Sequence, residues 1–196
     1  MAARPTLVVN PGSTNTFTFT TSNWYSLSAI TIDGTNESAP ASCTITNVQA
    51  DHTIVANYAA ILAAAGTPEW WLYQQNTNWA TNFNAAALSD PTGKGIPVWQ
   101  DYVAGTDPLN PASVFALRAG LANGQMTVSL PTTATTPQYQ SQRYYAIESS
   151  TNLLDPSSWR GVPGWTNVPG RGQILTFSSA PGNPGEFFRG RVWLGP

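Results

Sequence analysis

The sequence predicts a mainly-β fold in three parts: a small N-terminal β unit, a short helical connector and a C-terminal antiparallel β-sandwich. Residues 16–20 alternate polar and apolar, with Phe17 and Phe19 on one face, which is the pattern of a half-buried strand. Other short apolar runs are separated by Pro, Gly, Asn and Ser, as in antiparallel sandwiches. No segment is long enough for the helices that connect parallel strands, so a doubly wound fold is excluded.

The N-terminal unit is predicted to span residues 1–59. Asp33 and Gly34 form a dipeptide that typically turns a hairpin, and they directly follow an apolar run. Strands are predicted over residues 6–10, 16–20, 28–32, 43–46 and 53–58.

The connector is predicted to span residues 60–112 and to contain three short helices. Thr67 is expected to cap the first helix, with Pro68 in its first position and Glu69 in its first turn. The helices are predicted over residues 68–75, 82–88 and 97–104, the last ending at Gly105.

The C-terminal sandwich is predicted to span residues 113–196. Turns rich in Pro, Gly, Asn and Ser separate its apolar runs. Its strands are predicted over residues 113–119, 125–130, 143–149, 173–178 and 187–194.

The composition argues against several partners. Charged residues make up 9% of the chain, against roughly 25% in an ordinary soluble domain. Eight basic residues are scattered among ten acidic ones, so no nucleic-acid-binding surface is expected. No apolar stretch approaches the length of a membrane span. A neutral polar surface repels copies of itself weakly, which favours a wall protein or a fibre subunit.

The first 58 residues resemble the internalin-type B repeat. The resemblance lies in Gly34, in Asn47-Val48 and in His52-Thr53-Ile54, which match a glycine turn followed by a final "nVtanHTI" strand. It implies a small β-grasp-like extracellular module, and it supplies no catalytic residues.

Residues 66–72, Gly-Thr-Pro-Glu-Trp-Trp-Leu, and residues 99–111, Trp-Gln-Asp-Tyr-Val-Ala-Gly-Thr-Asp-Pro-Leu-Asn-Pro, resemble a linker of large secreted bacterial proteins. In that linker a calcium loop like those of dockerins and thrombospondin type 3 repeats stands just before the second segment. An EF-hand-style loop takes oxygen ligands at positions 1, 3 and 5, Gly at 6 and an acid at 12. Asp90, Thr92, Lys94, Gly95 and Asp101 hold those positions here. Because Lys94 brings a positive charge, we expect no metal, with Asp90 and Asp101 pairing with Lys94 instead. An ordinary turn capped by Asp90 leads to the same expectation.

The C-terminal part resembles a sandwich module of the same class of secreted proteins. The matching segments run from Tyr144 to Leu153 and from Phe187 to Val192. Together the three resemblances imply an extracellular or cell-surface location.

No enzyme and no cofactor are expected. The single histidine, His52, has no distinguished nucleophile, and one His and one Cys cannot make a zinc site. A glycosidase needs a pair of carboxylates, for which Glu69, Asp101, Asp107 and Glu148 are the candidates. Each has a structural alternative: helix capping for Glu69, a turn bond for Asp107 and pairing with an arginine for Glu148.

Two functions are predicted, and both are non-catalytic. The first is a structural subunit of a surface layer or filament that self-associates by adding a strand to the sheet edge of a neighbour. The candidate strand, called here the N-terminal run, is Thr6, Leu7, Val8, Val9 and Asn10; the alternative is that it forms the first strand of its own unit. The second is an accessory polysaccharide-binding module of a larger secreted enzyme.

Aromatic side chains are the candidate glycan contacts. Trp159 and Trp165 lie in loops rich in Pro and Gly, whereas Trp70, Trp71 and Tyr73 are expected to pack a helix rather than to bind sugar. Candidate glycosylation sites are Asn36, in a sequon, and the threonines of one low-complexity loop, namely Thr132, Thr133, Thr135 and Thr136.

Overall fold

The computed structural model describes residues 6–122, 125–135, 141–179 and 185–195. Over these residues it contains twelve strands, all paired antiparallel, and three short α-helices, which confirms a mainly-β fold. Two compact units, Met1–Phe83 and Asn84–Pro196, divide the chain. The division falls inside the predicted connector. The three-part division and the labels β-grasp-like and β-sandwich stay predictions.

The first unit contains two small sheets. Five strands form them: β1 Asn15–Thr18, β2 Tyr25–Ile32, β3 Thr35–Glu37, β4 Ser42–Ile45 and β5 Ile54–Ala60. One sheet has the order β3-β2-β5, and the other pairs β1 with β4. The predicted hairpin is confirmed, because Ile32 pairs with Thr35 across a turn in which Asp33 and Gly34 both have positive φ.

The predicted strand over residues 6–10 is wrong. These residues belong to none of the strands in the described part of the chain. A turn at residues 11 and 12 separates them from β1, and the amide of Gly12 donates to the carbonyl of Val48. The N-terminal run is therefore not the first strand of its own unit.

Helix α1, Glu69–Gln75, lies near the C-terminal end of the first unit. Trp70 and Trp71 are buried on it, which confirms that they pack rather than form an open platform, while Tyr73 is half-exposed and contacts Trp24 with ring centroids 4.9 Å apart. The expected cap by Thr67 is wrong. The residue before a proline favours extended backbone, and the Thr67 hydroxyl donates instead to the carbonyl of Ala64.

The second unit contains most of the remaining secondary structure, and the predicted helices are found as α2 Phe83–Leu88, at the division between the units, and α3 Val98–Ala104. Seven strands follow: β6 Arg118–Ala122, β7 Gln125–Pro131, β8 Arg143–Ser150, β9 Arg160–Gly161, β10 Val168–Pro169, β11 Ile174–Ser179 and β12 Phe187–Leu194. One sheet has the order β11-β7-β6; the other has the order β10-β8-β12, with β9 also paired to β8.

Both sheets of the second unit contribute to a single core. Its buried members are Val128 and Leu130 on β7, Tyr145 and Ile147 on β8, and Leu175 on β11, together with Val162. Because side chains alternate along a strand, Tyr144, Ala146 and Glu148 lie on the opposite face of β8. This alternation gives the β8–β12 sheet a second face, which is described below.

Strand β6 begins five residues later than predicted. At the start of the preceding segment, Ser113 makes two hydrogen bonds to loop residues. The Ser113 carbonyl accepts one from the Lys94 ammonium, and the Ser113 hydroxyl accepts one from the amide of Asp107. The carbonyl of Ser113 is therefore not available for strand pairing.

A buried arginine joins α3 to the sheet. Arg143, at the start of β8, is 1% exposed, and it donates from Nε to the carbonyl of Val103 and from Nη2 to that of Tyr102. The last carbonyls of a helix have no partner within the helix. Arg143 therefore caps the C-terminus of α3 from the side.

Candidate functional site

The calcium-type loop keeps its predicted turn. The Asp90 carboxylate accepts hydrogen bonds from the amides of Lys94 (3.2 Å) and Gly95 (2.6 Å), and Gly95 has a φ of 79°. Burial alone would raise the pKa of Asp90, but backbone hydrogen bonds from Gly95, Lys94 and their neighbours outweigh it and lower that pKa. The predicted capping role of Asp90 is confirmed.

The Lys94 ammonium lies in a cage of three oxygens. It donates to Asp101 Oδ1 at 2.8 Å, to the carbonyl of Asp107 at 2.9 Å and to that of Ser113 at 3.0 Å. Its side chain is 4% exposed, and that of Asp101 is fully buried. Lys94 thus pairs with Asp101, as predicted, but not with the Asp90 side chain. The Asp90 carboxylate accepts hydrogen bonds from backbone amides instead.

Strand β12 has an open side. It stands at the end of its sheet and pairs only with β8 among the described strands. Beside its middle lies a cleft of about 390 Å³, called here the β12 groove. Its apolar lining comes from Trp99 and Val103 of α3, from Phe115 and from Val192 of β12, and Gln100, Thr106 and Arg191 add polar groups. An open edge beside an apolar cleft is a geometry that accepts an added strand.

The N-terminal run presents apolar side chains to solvent. Leu7 is 64% exposed and Val8 is 91% exposed, whereas Val9 is partly buried. In an extended conformation Leu7 and Val9 would project to the same side.

The outer side of the β8–β12 sheet carries a continuous row of contacts, called here the aromatic–arginine face. Trp159 lies under the guanidinium of Arg189, whose central carbon is 4.3 Å from the ring centroid. Glu148 joins Arg189 Nε at 2.7 Å to Arg191 Nη1 at 2.9 Å. The row ends where Arg191 approaches Trp193, which stacks on Tyr144 with centroids 6.1 Å apart.

The two predicted glycan contacts occupy different environments. Trp159 belongs to the aromatic–arginine face, while Trp165 packs against the core of the second unit. The structure does not bring them together as one platform. Both are partly buried, and the Arg189 guanidinium lies over the Trp159 ring.

The predicted glycosylation sites also differ in access. Asn36 is exposed on β3, and its side-chain oxygen accepts a hydrogen bond from the Thr31 hydroxyl. Thr132 is buried, and its hydroxyl donates to the carbonyl of Gln173. A hydroxyl held in this way is shielded in the folded chain.

The other threonines of that loop are less enclosed. Thr133 and Thr135 are partly buried; the amide of Thr133 donates to the Tyr145 hydroxyl, and Thr135 accepts from the amide of Arg143. Thr136 lies outside the described residues.

The catalytic candidates are engaged in structural contacts. Glu148 pairs with two arginines as predicted, and Asp107 makes the predicted turn bond, to the amide of Leu109. Glu69 lies in the first turn of α1. Within the described ranges, no group of three or more His, Cys, Asp or Glu side chains is arranged to hold a metal ion.

His52 contacts Asp33. Its Nδ1 lies 2.6 Å from Asp33 Oδ2, and the amide of Thr53 donates to Oδ1 of the same carboxylate. The hydrogen bond to His52 is the largest of the effects that lower the pKa of Asp33. This contact ties the β2–β3 turn to the start of β5 and involves no nucleophile.

No family model, no curated protein and no solved structure matches this chain. Among the helices of the described residues, none has the length and apolarity needed to cross a membrane.

Sequence reasoning missed the β12 groove and the cap made by Arg143. Glycine inside a strand often marks close approach of another group, which signals packing against β12 but not the groove itself. Gly190 is such a residue: a Cβ built there would meet Leu130 at 2.9 Å and Phe115 at 3.2 Å. Nothing in the sequence signals the Arg143 cap, because the carbonyls it binds lie forty residues away along the chain.

Proposed function

We propose that this chain is a non-catalytic extracellular structural module, a subunit of a cell-surface layer or filament that assembles by strand addition. The observation that carries the proposal is an exposed apolar run that pairs with none of the described strands, in a chain whose strand β12 has one edge without a described partner beside the β12 groove. We propose that the N-terminal run of one copy adds to β12 of the next.

The donor side has the required chemistry. The N-terminal run has five residues that pair with no described strand, and Leu7 and Val8 are largely exposed. An isolated exposed strand offers both its backbone hydrogen-bonding groups and its side chains to a neighbour. In the proposed complex Leu7 and Val9 enter the β12 groove, while the backbone pairs with β12.

The acceptor side offers matching features. Gly190 and Val192 lie in the middle of β12, and Trp99 and Val103 form the opposite wall of the groove. In strand addition, main-chain hydrogen bonds supply affinity and side-chain pockets supply register. A groove about the size of a small ligand pocket can take aliphatic side chains but not a folded partner.

The composition supports contact between like copies. A net charge of −2 and 9% charged residues give little electrostatic repulsion between subunits. Donor and acceptor are different surfaces, so the contact is head-to-tail and leads to open chains unless the rotation closes into a ring.

Assembly is tested by light scattering and electron microscopy of the purified chain over a wide concentration range. We expect filaments or rings in the wild type. Leu7→Asp should disrupt them, because a carboxylate is costly to bury against the apolar part of the groove lining. Val8→Pro should do the same, because proline has no amide to donate to a strand partner. Leu154→Asp is the matched control, since Leu154 is 93% exposed and belongs to neither surface. A wild type that stays monomeric at all concentrations refutes the proposal.

Disulfide trapping tests the site separately from assembly itself. Cys43 is replaced by Ser, and cysteines are placed at Leu7 and at Gln100, which lines the rim of the groove. Oxidation should give a ladder of covalent oligomers with the pair and none with either cysteine alone. Assembly without such a ladder, or with an equal ladder from cysteines at Leu7 and Leu154, places the contact elsewhere.

The aromatic–arginine face favours a second candidate, an accessory module that binds polysaccharide. Aromatic rings stack on sugars, and guanidinium groups donate to hydroxyl and carboxylate oxygens. The side chains of Arg189 and Arg191 are 43% and 57% exposed, so both keep donors available beyond Glu148.

Glycan-array binding tests this candidate. We expect binding to be lost in Trp159→Ala and kept in Trp79→Ala, a partly buried tryptophan of the first unit. Trp165→Ala is unsuited as the decisive variant, because Trp165 supports the core. Absence of wild-type binding to any glycan on the array argues against this function.

A further inference from the structure

In the loop from Asp90 to Asp101, the positively charged group is the ammonium of Lys94, a residue of the loop itself. An ammonium group has three donors, and Lys94 directs all three to oxygens: the Asp101 carboxylate and the carbonyls of Asp107 and Ser113. A hard metal ion in a protein is bound by the same oxygen types, carboxylate and backbone carbonyl. The cage is almost closed to solvent, with Lys94 4% exposed.

The residues present do not fit a calcium ion. A metal bound to Asp101 would lie within a few ångströms of the Lys94 ammonium, which is 2.8 Å from Asp101 Oδ1. Two cations at that separation in a buried site repel strongly. The same carboxylate oxygen also accepts the Thr106 hydroxyl at 2.5 Å. The fifth position of the loop thus supplies a competing charge instead of a ligand.

Two oxygens nevertheless mark the frame of a cation site. Thr92 Oγ1 and Asp101 Oδ2 are buried and have no hydrogen-bond partner in the described part of the chain, and no other buried side-chain nitrogen or oxygen there is in this condition. They belong to positions 3 and 12 of the loop, both of which are ligand positions in an EF-hand-style frame. The glycine expected at position 6, Gly95, has the positive φ that this frame requires.

We infer that Lys94 has taken over the structural work of a calcium ion, and that its charge is what prevents this loop from binding calcium. The ammonium ties the loop to α3 through Asp101 and to the segments after α3 through Asp107 and Ser113. The second unit therefore folds without metal. Replacing Lys94 by an acid should remove the tie and at the same time create a calcium site.

Thermal unfolding in EDTA and in calcium tests both halves of the inference. The variants are Lys94→Asp and the double variant Thr92→Asp with Lys94→Asp. Calcium is used at about 5 mM, above the roughly 0.1–1 mM dissociation constants of extracellular calcium modules. We expect the wild-type Tm to be the same in EDTA and in calcium. Both variants should have a lower Tm in EDTA and recover it in calcium, and titration calorimetry should show one bound ion.

Arg171→Asp is the matched control. It makes the same change of charge at an exposed residue whose described hydrogen bond uses only the backbone amide. Neither its Tm in EDTA nor its response to calcium should differ from that of the wild type. An equal calcium response in Arg171→Asp would show that added negative charge alone explains the effect, which overturns the inference.

Three further results would overturn it. One is near-stoichiometric calcium in the wild type with a raised Tm. Another is an unchanged Tm in Lys94→Met, because the hydrogen bonds of the Lys94 ammonium would then contribute nothing to stability. The third is a Lys94→Asp chain that binds no calcium. If Lys94→Asp is unfolded in EDTA, recovery of native circular dichroism in calcium but not in sodium chloride supports the inference, and failure to recover in calcium refutes it.

Discussion

Replacing Arg143 by Met should strongly destabilise the second unit. The substitution keeps most of the apolar stem but removes the guanidinium that donates to Tyr102 and Val103 at the end of α3. A hydrogen bond from a charged group contributes about 1.5–3 kcal/mol, so two contribute about 3–6 kcal/mol. Burying a guanidinium has a desolvation cost that Met avoids. We therefore expect a net loss of about 2–4 kcal/mol in the free energy of unfolding.

The assay is urea unfolding with hydrogen exchange measured on peptides from β8. With a urea m-value of about 2 kcal/mol per M, the midpoint should fall by about 1–2 M. Arg160→Met is the matched control, because Arg160 also donates to two carbonyls, those of Ser157 and Trp159, but is exposed. Water replaces such bonds, so a loss below about 0.5 kcal/mol is expected. Equal effects of the two substitutions, or a loss below about 1 kcal/mol for Arg143→Met, would refute the reasoning.

Two other substitutions probe the same unit. Tyr145→Phe removes the acceptor of the Thr133 amide and should destabilise the unit by about 1–2 kcal/mol in thermal unfolding, whereas Tyr144→Phe should have little effect; equal effects would contradict this role. Burial would raise the pKa of Glu148, but the hydrogen bonds from Arg191 and Arg189 outweigh it and lower that pKa. Its stabilising contribution is therefore present above its ordinary pKa of about 4.5 and is lost as the pH falls through the lower folded value. In Glu148→Gln, the free energy of unfolding should therefore fall less steeply with decreasing pH below 4.5 than in the wild type. An unchanged slope would show that the pairing of Glu148 with the arginines does not contribute to this pH dependence.

Local signals predicted most of the secondary structure. Strand β12 was predicted to the residue, because turn residues rich in Pro and Gly bound the segment 187–194. Helix α3 ends where predicted, at Gly105. Pairing of Glu148 with arginine was also foreseen, because a carboxylate on an alternating strand needs a cationic neighbour if it is partly covered.

Signals that depend on tertiary contacts were not predictable. The carbonyls of Asp107 and Ser113 that surround Lys94 lie thirteen and nineteen residues beyond it, and no spacing rule connects them. Trp165 has the same loop composition as Trp159, yet it packs against the core. The N-terminal run has strong strand propensity but pairs with no described strand, since propensity measures fit to a sheet and not the presence of one.

The way this chain uses its few charges bears on how it would assemble. Lys94 and Arg143, two of its eight basic residues, are buried and bind backbone carbonyls at or just beyond the ends of α3. Asp101 is buried as the partner of Lys94, and Glu148 is buried as the partner of Arg189 and Arg191. Charges held inside the fold cannot steer one copy toward another. In the proposed assembly, we expect register to come from contacts that are directional without charge. Main-chain hydrogen bonding along an open strand, with alternate side chains in a groove, is such a contact, which makes the β12 edge the first surface to test.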